Sequence, residues 1–97
     1  MLSNLNSMDV IITEKQKEKF KSIIKTMVED INVPLASKIN VEFSPEGYIF
    51  VFVLLKGWLA GTPKSRYESL ARERVKNYIG LNTDVIILND AVTNNNN

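Results

Sequence analysis

The chain has 97 residues, 44% of them apolar and 24% charged, with a formal net charge of +1. That length makes one domain and that composition makes a globule, without the charge excess that draws a protein generally to nucleic acid. Cysteine and histidine are absent, which excludes disulfides, thiolate and imidazole metal sites, and the commonest general base.

The opening MLSNLNS has no basic region and no apolar core, so a secretory signal is not expected. The missing cysteines fit a reducing compartment, and the reading is cytoplasmic. Residues 1–9 are polar and expected to be loose. Val10-Ile11-Ile12 is a short apolar run that either pairs as a small strand or packs against the domain. Thr13 then reads as a helix N-cap, with Gln16 completing a capping box. Phe20, Ile23, Ile24, Met27, Val28 and Ile31 recur at helical spacing and make one apolar face. Pro34 stops this helix, because the residue before proline is pushed out of the α region. The predicted span, 14 to 31, is about 27 Å long.

Ile39, Val41 and Phe43 alternate with Asn40, Glu42 and Ser44, the pattern of a strand with one wet face. Ser44-Pro45-Glu46-Gly47 is a turn, with proline at the second position and glycine at the fourth. It joins that strand to residues 48–55, YIFVFVLL, the most apolar stretch of the chain. Aromatic and β-branched residues favour a strand here, and the run is far short of the roughly 20 residues a membrane-spanning helix needs. Both of its faces are apolar: Tyr48, Phe50, Phe52 and Leu54 on one, Ile49, Val51, Val53 and Leu55 on the other. Such a strand needs cover on both sides and suits a central position.

Two starts compete for the second helix. Thr62 can cap with Pro63 at the first helical position, or Ser65 and Glu68 can form a capping box. Tyr67, Leu70, Ala71, Val75, Tyr78 and Ile79 form its apolar arc, and Gly80 ends it as a left-handed cap. Asp84 leads into Val85-Ile86-Ile87-Leu88, a strand apolar on both faces. The crossover from 48–55 makes this last strand parallel to the central one. Residues 91–97 form an Asn-rich tail expected to be disordered.

The predicted fold is α+β: a single domain over 10–90, a two-layer sandwich in the order α-β-β-α-β. Its mixed three-stranded sheet carries two helices on one face, and Val10–Ile12 is a candidate fourth strand. Helices on one face leave the other bare, and a monomer seldom exposes a large apolar patch. The candidate interface is Ile49, Val51, Val53, Leu55, Trp58, Val85 and Ile87, meeting a second copy in a homodimer or another protein. The competing cover is the chain's own residues 1–12.

A basic segment runs over 56–76, with six basic side chains against two acidic. Lys56, Lys64, Arg66, Arg72 and Lys76 are the candidate nucleic-acid contacts, and Trp58 is a candidate stacking platform. Glu68 and Arg72 are spaced to pair along the helix, so part of this charge is a solvated face. Arg74 falls inside the apolar arc and either snorkels, pairs with Glu42 or Asp84, or meets a partner. Lys56-Gly57-Trp58-Leu59-Ala60-Gly61 connects strand to helix, where anions often sit, but it lacks the P-loop spacing. The scattered carboxylates suggest no calcium loop, and the serines lack a visible base. No metal, cofactor or enzymatic activity is expected.

From residue 14 to 89 the order of elements resembles a type II KH domain, an RNA-binding fold of ribosomal proteins. That resemblance implies backbone phosphates held on a Gly-x-x-Gly loop. The matching place here reads Gly57-Trp58-Leu59-Ala60-Gly61, with three residues between the glycines and none of them basic. The expected function is therefore a non-enzymatic assembly or protein-interaction module, with nucleic-acid binding through 56–76 as the alternative.

Overall fold

The computed structural model describes residues 12–57 and 60–89. Over these the order is α1 (Glu14–Glu29), β1 (Ala36–Phe43), β2 (Ile49–Leu55), α2 (Lys64–Ile79) and β3 (Thr83–Asn89). The strands form one sheet in the order β1-β2-β3, antiparallel between β1 and β2 and parallel between β2 and β3. This is the expected α+β architecture, with the most apolar strand in the middle. The loose start at 1–9 and the tail at 91–97 fall outside the described residues. So does the candidate strand at 10–12, apart from Ile12, which is in no strand.

Helix α1 begins at the expected capping box. The Gln16 N–H donates to Thr13 Oγ1 at 3.1 Å, and the Thr13 N–H donates to Gln16 Oε1 at 2.9 Å. The helix ends at Glu29, before Pro34 can act on it. Short bonds tighten its last turn, from the Ile31 N–H to Val28 O and from the Asn32 N–H to Glu29 O. Asn32 then adopts φ 58, a left-handed conformation that asparagine tolerates. Leu35 does the same at φ 60, which is uncommon for an apolar side chain. Its carbonyl accepts from the Lys56 N–H at 2.9 Å, tying the start of β1 to the end of β2.

The β1–β2 hairpin turns where proline and glycine place it. The Gly47 N–H donates to Ser44 O at 2.9 Å, and Gly47 takes φ 86, a conformation open to glycine without a side-chain clash. The Ser44 hydroxyl accepts from the Tyr48 N–H at 3.0 Å. Register follows from this turn: Phe43 lies beside Ile49, Val41 beside Val51 and Ile39 beside Val53. A bulge between Ala36 and Lys38 lets the Ser37 hydroxyl donate to Leu54 O at 3.1 Å.

Helix α2 uses neither expected start. It begins at Lys64 after Pro63, with no side-chain cap. Glu68 is committed elsewhere: its Oε2 accepts the Ile87 N–H of β3 at 2.9 Å. β3 is an outer strand of this sheet, and an outward N–H on such a strand needs an acceptor. Gly80 closes the helix as expected, at φ 85, with its N–H donating to Lys76 O.

Both helices pack on one face of the sheet. Ile24 and Val28 of α1 and Ala71 and Val75 of α2 meet Val41, Val85, Ile87 and the alternate residues of β2 in a single core. Ile49, Val51, Val53 and Leu55 are each 0% exposed. These are mostly β-branched side chains, which suit the pleated surface of a covered strand.

Candidate functional site

The helices cover the face that carried the candidate interface. Ile49, Val51, Val53, Leu55, Val85 and Ile87 all lie in the core beneath α1 and α2. They reach no partner while those helices are docked. Trp58, the seventh candidate, lies outside the described residues.

The opposite face can be read from the register, because directly paired residues point to the same side. Its first row is Lys38, Leu54 and Leu88. The second is Asn40, Phe52 and Ile86. The third is Glu42, Phe50 and Asp84. The apolar part is therefore Leu54, Phe52 and Phe50 along β2 with Leu88 and Ile86 along β3. Tyr48 extends it, its ring stacked on Phe50 at 5.0 Å between centroids. Phe50, Phe52, Leu54 and Ile86 are half-buried, and Leu88 is 44% exposed. No helix of the described residues packs over these side chains.

Charge on this face is divided by end. Lys38 marks one end, and Glu42 and Asp84 mark the other. None of the three makes an ion pair with another described residue. Lys38 and Glu42 are four residues apart on one strand, about 13 Å, too far to neutralise each other.

The basic segment is arranged less tightly than its composition suggests. Arg66 and Lys76 are exposed along α2, and Lys56 is exposed just beyond β2. Arg72 donates to Ser69 Oγ at 3.2 Å instead of pairing with Glu68, whose carboxylate is held by β3. Lys64 begins the helix and is half-buried. Arg74 is exposed, and Glu42 and Asp84 sit on the far side of the sheet from α2, so neither is its partner. Beside Arg74 on the helix, Leu70 and Tyr78 are 43% and 67% exposed. Tyr78 with Ser22, Ile23, Thr26 and Met27 lines a shallow apolar groove between the helices, of about 350 Å³.

Between β2 and α2, Gly61 adopts φ 84, so it has the conformational reason for glycine there. Gly57 has none: a Cβ on it would meet Leu35 Cδ1 at an ordinary 3.7 Å. The two glycines therefore differ in what the backbone requires of them. Among the described residues no group of carboxylates could hold a metal ion, and no helix is long and apolar enough to cross a membrane.

Two signals mark the open face: the polar residues Lys38, Asn40 and Glu42 on the wet side of β1, and Asp84 of β3. They share a face with Phe50, Phe52 and Leu54 once the hairpin register is known. No protein-family model, curated protein or solved structure matches this chain.

Proposed function

We propose that this protein is a small non-enzymatic assembly module that pairs with a second copy of itself through the open sheet face. The carrying observation is the run of Phe50, Phe52, Leu54, Ile86 and Leu88 across two adjacent strands, with no helix of the described residues over it. Burying it against an identical face satisfies both copies at once, as isologous dimers do.

The size of the face sets the strength of pairing. Three strands about 4.8 Å apart and seven residues of about 3.3 Å give a footprint of roughly 350 Å². A standard interface buries about 800 Å² per partner. The dimer is therefore weak and reversible. Light scattering after gel filtration should give a mass that rises from monomer toward dimer between low and high micromolar concentration. A strict monomer across that range sinks the proposal.

A second reading is a KH-like nucleic-acid module using Lys56, Lys64, Arg66, Arg72 and Lys76. It is favoured by one observation: Glu68 is turned to Ile87, so it makes no ion pair with Arg72. Phosphate contacts release counterions, and binding to single-stranded RNA should then weaken steeply as salt rises. The absence of a mobility shift even at low salt removes this reading.

A further inference from the structure

We infer that the two copies meet with their strands antiparallel, about a two-fold axis running across the strands through the row Asn40, Phe52 and Ile86, so that Lys38 of each faces Glu42 of the partner subunit. This rests on the self-pairing proposed above and adds its orientation.

A face can meet its own copy about an axis lying in the plane between the sheets, and two orientations keep the strands roughly aligned, as stacked sheets prefer. An axis along the strands preserves their direction and lays β1 over β3. Glu42 then lies over Asp84 of the partner subunit, once on each side of the axis and at the same end of the face. Those are like charges, brought together as water is excluded. An axis across the strands reverses their direction and lays each strand over its own counterpart. Lys38 then lies over Glu42 of the partner subunit, twice per dimer. Phe52 meets Phe52 of the partner subunit at the centre, where an aromatic pair can stack or tilt.

The separation of stacked sheets, about 10 Å, is spanned by a lysine and a glutamate reaching toward each other. Asp84 comes over Leu88 of the partner subunit, at the margin on the outer strand. Edge-to-edge addition on β3 is disfavoured by comparison, since Glu68 already occupies the Ile87 N–H there.

Charge reversal in the full chain tests the orientation. Lys38 and Glu42 are both exposed on β1, so Lys38→Glu and Glu42→Lys should fold, as circular dichroism would verify. Each alone places like charges opposite each other twice, and should weaken self-association about tenfold or more. An equimolar mixture of the two variants restores both opposite-charge contacts, and should form mixed dimers with near wild-type affinity. Sedimentation equilibrium on the wild type, each variant and the mixture reads all of this. Tighter dimerisation by Glu42→Lys alone would support strands running in the same direction and overturn the proposal. So would a mixture no stronger than its components. If the wild type is itself monomeric, self-pairing fails before its orientation is in question.

Discussion

Leu55→Ala is expected to lower the unfolding free energy by about 2–5 kcal/mol, the range for truncating a buried leucine. Leu55 is 0% exposed and lies at the end of the central strand, inside the cluster shared by both helices. The loss has two parts. Apolar surface leaves the core, and a cavity stays behind because the strand cannot move freely. β2 is bonded to β1 on one side and β3 on the other, so its backbone has little room to collapse inward. A domain of this size holds only about 5–15 kcal/mol in total, so one methyl-bearing side chain takes a large share. Urea denaturation followed by circular dichroism measures it. A change below about 1 kcal/mol would mean that the helices do not cover this face.

That expectation became possible only once the covered face was known. Much of the fold is legible earlier. The capping box at Thr13 and Gln16, the turn at Ser44–Gly47 and the cap at Gly80 each have a local physical cause that needs no knowledge of the rest. The parallel placement of β3 follows from the helix that precedes it. The covered face of β2 has no such local cause. Alternation identifies a face only when one side is polar, and in 48–55 both sides are apolar. The information sits in a neighbouring strand and passes through register. The turn sets Phe43 beside Ile49, which sets Glu42 beside Phe50 and Asn40 beside Phe52. β1 has one apolar face, Ile39, Val41 and Phe43, and that face must be the buried one. The wet residues of β1 therefore mark which side of β2 the helices leave open. Glu68 illustrates a different limit. Its spacing from Arg72 and from Ser65 fits two local pairings, yet it bonds Ile87, nineteen residues away. A contact set by tertiary packing has no signature in helical spacing.

Phe52→Lys should abolish self-association, weakening it about a hundredfold or more, while leaving the chain folded. Phe52 occupies the middle of the open face, between Asn40 and Ile86. Within one chain it contributes cross-strand contacts worth about 0.2–1 kcal/mol each, so the monomer should tolerate the change. At the interface the loss is larger, because central aromatics carry most of the binding energy in well-packed contacts. With the axis through this row, two lysines would also face each other without a counter-charge. Phe52→Leu keeps an apolar side chain at the centre and should retain most of the pairing. Light scattering compares the three proteins at equal concentration, and circular dichroism checks their folding. Unchanged association in Phe52→Lys would move the contact away from this face, to the outer edge of β1 or the groove beside Tyr78. Unfolding of Phe52→Lys would instead make Phe52 part of the chain's own core, covered by its first residues. The predicted pattern, folded but monomeric, follows only if this aromatic is buried by a second molecule.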